Sequence, residues 1–174
     1  MSTSALRSAV RDVADFPKPG ILFKDITPIL SDPALFRESI KLLCDTAGGM
    51  KIDKVVGIDA RGFIFAAAVA DRLNAGFVPI RKAGKLPWQT RGLAYSLEYG
   101  ESVVEIHEDA LAAGENVLLV DDLLATGGTA AAAIQLIDGL GANLVAASFL
   151  IELAGLNGRK LLGEHRIEAI LTYE

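Results

Sequence analysis

Two segments of the sequence have the same order of predicted elements, and this order defines the class of fold. In each segment, a short apolar strand is followed by a helix and then by a second apolar strand. The ranges are 54–59, 63–74 and 77–82 in the first segment, and 116–122, 129–141 and 143–152 in the second. Repeated units of this kind predict an α/β fold with a twisted, mostly parallel sheet that is covered by helices on both faces.

Two more helices are predicted before the first of these units. The first sixteen residues are interpreted as a short amphipathic helix. Residues 33–43 have apolar side chains at helical spacing, with Asp32 placed to cap the helix and Gly48 beyond its end. The helix over 63–74 is expected to end at Gly76.

The sequence between the two units predicts a hairpin and a lid. Residues 95–108 alternate between apolar and polar types, and they are expected to form an antiparallel hairpin that turns at Gly100. The stretch 84–94 combines glycine, proline and polar residues, and we interpret it as a mobile lid that closes over substrates. No contact is assigned to Trp88 or Arg91 within it.

Composition limits the classes of function. The 174 residues suffice for one domain, and 51% hydrophobic and 22% charged side chains are typical of a globular protein. The net charge of −5 argues against a nucleic-acid partner, and the longest apolar runs are too short to cross a membrane. The N-terminal residues lack the apolar block of a secretory signal, and the single cysteine, Cys44, fits a protein of the reducing cytoplasm.

The segment 117–133, VLLVDDLLATGGTAAAA, contains the most unusual chemistry. It runs from an apolar strand through two aspartates and two glycines into a helix, and ligands of open parallel sheets bind at such strand ends. The glycines let the backbone approach a ligand closely, and the helix offers unpaired N–H groups to an anion. The segment therefore predicts a phosphate-binding loop, to which Thr126 and Thr129 add hydroxyl donors.

Neither of two common phosphate motifs is present, since the Gly-Lys-Ser/Thr of a Walker A loop and the Rossmann spacing of glycines are both missing. Asp121 and Asp122 would repel a phosphate by about a few kcal/mol. We therefore expect them to accept hydrogen bonds from sugar hydroxyls or from water bound to Mg²⁺. The local chemistry indicates a ribose phosphate, and an acidic strand end that only caps the next helix is the alternative.

Basic residues follow the second strand of the first unit. Arg81, Lys82 and Lys85 form a cluster in an otherwise acidic chain, and they are suited to stabilise a pyrophosphate group as charge builds on it. The alternative is a solvated strand end, because short charge runs usually lie on the surface.

The phosphate-binding loop resembles that of the type I phosphoribosyltransferase family, and its particular form resembles the members that use adenine. Other segments resemble the same enzymes in order and spacing: FPKPGILFKDI (16–26), GIDARGF (57–63), IRKAGKLP (80–87), YSLEYG (95–100) and EIHEDAL (105–111). The resemblance covers nearly the whole chain. We expect a single domain over 1–174, with a small N-terminal hood at about 1–30 and a flexible hairpin and lid at about 84–104.

The resemblance implies a reaction in purine salvage. The 5-phosphoribosyl group of phosphoribosyl pyrophosphate would be transferred to adenine, giving AMP and pyrophosphate. Mg²⁺ would be carried by the substrate and not held directly by the protein. The resemblance also implies a homodimer, in which a basic residue reaches the neighbouring subunit's site.

Roles for the phosphate-binding residues are implied by the matching positions. The resemblance assigns the ribose hydroxyls to Asp121 and Asp122. It assigns the 5′-phosphate to Ala125, Thr126, Gly127, Gly128 and Thr129. It assigns the pyrophosphate to Asp59, Ala60, Arg61 and Gly62, with a cis peptide bond between Asp59 and Ala60.

Adenine recognition and proton transfer are implied in the same way. Phe23 would stack on the base opposite Leu123, while backbone groups near Leu22 and Lys24 read its edge. Glu98 would be the general acid or base for the proton at adenine N7, and such a carboxyl would need a pKa raised by burial.

Two other functions stay open at this point. One is a sister enzyme that uses hypoxanthine or guanine. The other is a non-catalytic regulator that senses phosphoribosyl pyrophosphate, although the first fifty residues show no basic stripe for DNA. His107 and His165 lack partners at metal-ligand spacing and are expected to be structural or surface residues.

Overall fold

The structure is a computed structural model that describes residues 3–97 and 100–174. By its internal contacts the chain divides into two compact units, Met1–Leu42 and Leu43–Glu174. The helices are α1 (Thr3–Ala9), α2 (Thr27–Ser31), α3 (Pro33–Asp45), α4 (Gly62–Leu73) and α5 (Gly128–Gly139), with 3-10 turns at Ala154–Leu156 and Gly158–Leu161. The strands are β1 (Arg11–Ala14), β2 (Leu22–Asp25), β3 (Lys54–Ile58), β4 (Gly76–Lys82), β5 (Thr90–Leu97), β6 (Gly100–His107), β7 (Asn116–Leu124), β8 (Asn143–Leu153) and β9 (Ile167–Tyr173). Within the described residues, no helix combines the length and apolar character that a membrane span requires.

The first unit contains an antiparallel pair of strands, β1 and β2. Val13 pairs with Phe23 and Asp12 with Lys24, and the Lys24 ammonium lies 2.6 Å from the Asp12 carboxylate. The prediction of one helix over the first sixteen residues is therefore wrong beyond Ala9. Cross-strand pairs of apolar and oppositely charged side chains stabilise the extended chain that replaces it.

Helix α3 confirms the helix predicted over 33–43 and continues to Asp45. The Asp32 carboxylate accepts hydrogen bonds from the backbone N–H groups of Ala34 and Leu35, at 2.8 and 2.9 Å. Asp32 thus satisfies two of the amides that have no partner inside the helix, as an N-terminal cap does.

The second unit is built on a seven-stranded sheet with the order β5-β6-β4-β3-β7-β8-β9. The strands β4, β3, β7, β8 and β9 run parallel to one another, whereas β6 is antiparallel to both β4 and β5. The predicted, mostly parallel sheet and the antiparallel attachment of the hairpin are confirmed. Strand β9 was not predicted from the sequence, because it follows two 3-10 turns and not the helix of a further strand–helix–strand unit.

Helices α4 and α5 cover opposite faces of this sheet. Val56 and Ile58 of β3 belong to the apolar core that includes Ala133 of α5. Gly57 points to the other face and lies against Ala66 of α4. The prediction of helices on both faces is confirmed. Because β3 and β7 are parallel neighbours, the loops that lead from them into α4 and α5 lie side by side at one edge of the sheet.

The end of α4 differs from the sequence prediction. The helix ends at Asn74, which has a left-handed conformation with φ of 53° and donates its backbone N–H to the carbonyls of Ala70 and Asp71. Gly76, the predicted end, is already the first residue of β4. Asparagine is the residue after glycine that most readily adopts this conformation at a helix end, so Asn74 ends the helix before Gly76 is reached.

The hairpin is longer than predicted. Gly100 is the first residue of β6 and pairs with Leu97, and residues 98–99 between them lie outside the described residues, so the turn predicted at Gly100 stays a prediction. The stretch 84–94, predicted as an irregular segment between strands, is irregular only up to residue 89, because β5 begins at Thr90 and pairs with β6 from there on. Its role as a mobile lid stays a prediction. The glycine within β5 weakens the alternation from which a strand is predicted.

Candidate active site

A cavity of about 340 Å³ opens at the carboxyl edge of the sheet, where β3 and β7 end side by side. It is lined by both strand ends, by the loops that follow them and by the first turn of α5. The lining residues are Ile58, Asp59, Ala60, Arg61 and the run 121–130. The structure therefore brings together the two segments for which the sequence analysis predicted pyrophosphate and ribose phosphate binding.

The loop 125–129 has the shape of an anion-binding loop. Gly127 has φ of +86° and is the residue that precedes the first turn of α5. The first N–H groups of any helix have no partner inside it, and here the residues that carry them line the cavity. The positive end of the helix dipole lies at the same place, so the loop favours a negatively charged ligand.

Asp121 and Asp122, at the end of β7, both line the cavity but have different partners. The Asp121 Oδ1 atom accepts a hydrogen bond from the backbone N–H of Asp122 at 2.9 Å. Asp122 is 5% exposed, and its Oδ2 atom lies 2.8 Å from Arg61 Nε. The N–H of Arg61 Nε is not aligned with that oxygen, so the contact is an ion pair without hydrogen-bond geometry.

Burial raises the pKa of both carboxyl groups. For Asp121, the loss of hydration raises the pKa well above its ordinary value, and the neighbouring charge of Asp122 raises it further. For Asp122, burial also raises the pKa, while the Arg61 guanidinium acts in the opposite direction. Carboxyl groups with raised pKa values in a cavity are typical of functional sites, because a ligand can supply the hydrogen bonds that burial removes.

Gly62, the first residue of α4, allows the loop after β3 to pack closely against β7. A Cβ atom at this position would overlap the Asp121 carboxylate and would approach the Val120 carbonyl oxygen at 3.3 Å. The absence of a side chain at Gly62 therefore lets the start of α4 pack directly against the end of β7, next to Asp121.

The loop after β3 gathers two of the three predicted cations. The expected cis peptide bond is present between Asp59 and Ala60. Arg81 Nε donates to Asp59 Oδ2 at 3.1 Å, and Lys85 Nζ lies 3.7 Å from the same oxygen. Lys82 follows Arg81 directly in β4, so its side chain points to the opposite face and is not part of this group.

The residues predicted to bind adenine are divided between the two units. Leu123 lines the cavity in the second unit. Leu22, Phe23 and Lys24 lie on β2 in the first unit, where Leu22 is 51% exposed and Phe23 packs edge-on against Phe16. Their role in adenine binding stays a prediction.

Glu98 lies outside the described residues, so its role as general acid or base also stays a prediction. Two contacts of the phosphate-binding loop were not found from the sequence. The Thr129 hydroxyl donates to the Tyr95 hydroxyl at 3.2 Å, and the backbone of Gly158 packs against Gly127. For the second contact, the sequence shows nothing but a glycine at position 158, which lies outside the phosphate-binding motif.

Comparison with known proteins gives the class of this fold and site. The model of the phosphoribosyl transferase domain matches residues 26–164, which include the cavity loops. The chain therefore belongs to the phosphoribosyl transferase domain family. Within that family it groups with the adenine phosphoribosyltransferases. The protein of that name from Anaeromyxobacter dehalogenans (strain 2CP-C) is 54% identical over 169 residues, which cover 97% of this chain and 98% of the relative.

Solved structures of adenine phosphoribosyltransferases have the same fold. The crystal structure from Thermoanaerobacter pseudethanolicus has a TM-score of 0.95 and 45% identity, and it covers 99% of this chain and 100% of that one. The enzyme from Saccharomyces cerevisiae, in complex with an imino-altritol bisphosphate and adenine, has a TM-score of 0.92 and 43% identity. That match covers 97% of this chain and 98% of the yeast chain.

Proposed function

We propose that the protein transfers the 5-phosphoribosyl group of phosphoribosyl pyrophosphate to adenine, forming AMP and pyrophosphate. The observation that carries the proposal is the meeting of two loops, 59–61 and 121–129, around one cavity. The substrate has a phosphate at each end of its ribose, and the cavity has a candidate loop for each. The yeast relative that contains adenine supports adenine as the acceptor.

In this proposal the two ends of the substrate are held by different chemistry. The amides of 125–129 bind the 5′-phosphate, and Asp121 and Asp122 accept hydrogen bonds from the ribose hydroxyls. The loop 59–62 binds the pyrophosphate with help from Arg61, Arg81 and Lys85. Support for this arrangement comes from the raised pKa values of the two acids, since hydroxyl donors would stabilise their charged forms.

The reaction exchanges one bond at C1 of the ribose for another. The bond from C1 to the pyrophosphate oxygen breaks, and its electron pair leaves with the pyrophosphate. Adenine N9 forms the new bond to C1, and adenine loses one proton. Positive charge develops on the sugar and negative charge on the leaving group, so the cations beside Asp59 would stabilise the transition state.

Glu98 is proposed to handle the proton that adenine loses, at N7. Phe23 and Leu123 are proposed to hold the flat base between them, with its edge read by backbone groups near Leu22 and Lys24. The hairpin that contains Glu98 would close over the substrates and exclude water. Water must be excluded because it competes with adenine for C1.

Mg²⁺ is proposed to reach the site on the substrate. Within the described residues, no group of three or more His, Cys, Asp and Glu side chains could hold a metal ion. The carboxylates of Asp121 and Asp122 are suited to accept hydrogen bonds from the water ligands of such an ion. When bound, the ion would neutralise part of the phosphate charge.

A cytoplasmic homodimer is also part of the proposal, without a nucleic-acid or membrane partner. Exposed apolar side chains of the second unit, Ile64 at 42% and Phe77 at 38%, are available for a subunit interface. The single cysteine, Cys44, is buried and unpaired, which fits a reducing compartment.

A direct assay tests the proposed function. Purified protein is mixed with labelled adenine, phosphoribosyl pyrophosphate and Mg²⁺, and AMP is measured, with hypoxanthine and guanine in parallel reactions. We expect AMP from adenine and little product from the other bases. Turnover of guanine or hypoxanthine without adenine would overturn the choice of acceptor. Binding of phosphoribosyl pyrophosphate without any product would instead identify a non-catalytic sensor.

A further inference from the structure

We propose that Gly158 and Arg159, in the second 3-10 turn, are positioning residues that hold the phosphate-binding loop in its binding shape before substrate arrives. The inference rests on the proposed function, because it assumes that the loop 125–129 binds a sugar phosphate. It adds a support for that loop from a segment that none of the phosphate-binding motifs includes.

The backbone of Gly158 lies directly against the loop. A Cβ atom at Gly158 would overlap the Ala125 carbonyl oxygen and would lie 3.0 Å from the Gly127 nitrogen. A Cβ atom at Gly127 would in turn overlap the Gly158 carbonyl oxygen. Both glycines are buried. Since all the opposing atoms are backbone atoms, they cannot move aside as the end of a flexible side chain can.

Arg159 fixes this turn to the sheet. Its Nε and Nη2 atoms donate to the two carboxylate oxygens of Glu152, at 2.6 and 2.8 Å, and its Nη1 atom donates to the Ile167 carbonyl at 2.8 Å. Glu152 lies in β8 and is 5% exposed, and Ile167 is the first residue of β9. One planar guanidinium therefore joins the turn to two strands in a fixed geometry.

These contacts form a chain of support from the sheet to the phosphate site. Arg159 holds the turn, the turn presents the Gly158 backbone, and that backbone packs behind Gly127, whose left-handed conformation shapes the loop. A loop that is already ordered loses less conformational freedom when it binds a ligand. The pyrophosphate loop follows a different strand, β3, so its affinity should not depend on this support.

Two variants and one matched control separate an effect on the phosphate-binding loop from a general effect on the protein. Gly158→Ala introduces the clash, and Arg159→Lys keeps the charge but loses the planar fork. Gly155→Ala is the control, because a Cβ atom there has 3.4 Å to its nearest neighbour, Glu174, and φ is not positive. Binding of ribose 5-phosphate and of Mg²⁺-pyrophosphate is measured by calorimetry, and folding is checked by circular dichroism and thermal unfolding.

We expect Gly158→Ala to weaken ribose 5-phosphate binding by about tenfold or more, and Arg159→Lys by about three- to tenfold. Pyrophosphate binding should change by less than about twofold, and Gly155→Ala should resemble the wild type. Unchanged ribose 5-phosphate binding in a folded variant, or an equal loss of both ligands, would overturn the inference. If Gly158→Ala does not fold, Arg159→Lys decides. Failure of the wild type itself to bind ribose 5-phosphate would overturn the proposed function instead.

Discussion

Arg61 Nε lies 2.8 Å from Asp122 Oδ2, so an ion pair joins the proposed pyrophosphate loop to the proposed ribose-binding strand end. The Arg61 side chain is 42% exposed, whereas that of Asp122 is 7% exposed. Burial raises the pKa of Asp122, and the charge of Arg61 acts against that rise. The protonation of an acid on one loop therefore depends on a cation from the other loop.

Replacing Arg61 by methionine should move the pH dependence of the reaction. Without the guanidinium the pKa of Asp122 rises further, so less of the carboxylate is ionised at a given acidic pH. Since a protonated carboxyl presents an O–H in place of one acceptor oxygen and accepts more weakly than a carboxylate, the acid limb of kcat/KM for phosphoribosyl pyrophosphate should shift to higher pH. The direction of this shift follows from the loss of a cation that lowers the pKa of Asp122.

The matched control for this change is Arg61→Lys, which keeps a positive charge near Asp122. Its acid limb should stay closer to that of the wild type than the limb of Arg61→Met, even if both variants bind pyrophosphate less tightly. The pH–rate profile of each protein is measured between about pH 4 and pH 9. An acid limb that does not move in Arg61→Met would contradict the proposed coupling.

Asp121→Asn should stabilise the protein and weaken substrate binding. The folded-state pKa of Asp121 lies above its unfolded value, so its charge opposes folding at neutral pH. Asparagine keeps an oxygen for the Asp122 N–H and removes that charge, which should stabilise the fold by about 1 kcal/mol and raise Tm by about 2–4 °C.

The sign of this effect can be checked with pH. The destabilisation of the fold by the charged Asp121 is complete above the folded-state pKa. It disappears as the pH falls toward the ordinary aspartate pKa of about 4. The Tm difference between Asp121→Asn and the wild type should therefore shrink on acidification. A variant that is less stable than the wild type at pH 7 would show that the charged form of Asp121 is well compensated in the free protein.

Glu98→Gln should slow AMP formation by about 10²- to 10⁴-fold, because glutamine has a similar shape but cannot exchange the proton at adenine N7. Binding of ribose 5-phosphate should be unchanged, since the phosphate-binding loop lies on a different element. Glu108→Gln, at an exposed position just after the same hairpin, is the control. Normal turnover in Glu98→Gln would remove the role assigned to this residue.

The parts of the fold that the sequence predicted are those with local signals. The strand and helix periods of both strand–helix–strand units, and the glycines and acids between β7 and α5, lie within short windows. The loops after β3 and β7 meet because parallel neighbouring strands end at the same edge, so the candidate site could also be predicted before the structure was known.

The parts that were missed depend on contacts between distant segments. Arg11 to Ala14 are extended because β2 pairs with them, and their own sequence does not indicate this. Gly158 packs against Gly127 through backbone atoms, which leave no side-chain pattern. The alternation of side chains along β4 could have separated Lys82 from Arg81, but the ion pairs of Asp59 depend on the tertiary fold.

Side chains of strand β5 form hydrogen bonds with both ends of α5. At the first turn Thr129 Oγ1 donates to the Tyr95 hydroxyl at 3.2 Å, and at the last turn the Arg91 guanidinium donates to the Gly139 carbonyl. A cation at the carboxyl end of a helix is also favoured by the helix dipole. The position of the hairpin and the orientation of a phosphate-loop hydroxyl are therefore physically linked through Tyr95.

Tyr95→Phe should raise the KM for phosphoribosyl pyrophosphate by about fivefold, which corresponds to the loss of one hydrogen bond of about 1 kcal/mol. The KM for adenine should change little. The single Thr129 proton can turn to a bound phosphate when the Tyr95 O–H donates to Thr129 Oγ1 in its place. Thr129→Val removes both interactions, so the double variant should be no worse than Thr129→Val alone. Steady-state kinetics of the two single variants and the double variant measure this coupling, with Arg91→Lys as a control at the far end of α5. Independent, additive losses would show that the Tyr95 hydroxyl acts on something other than Thr129.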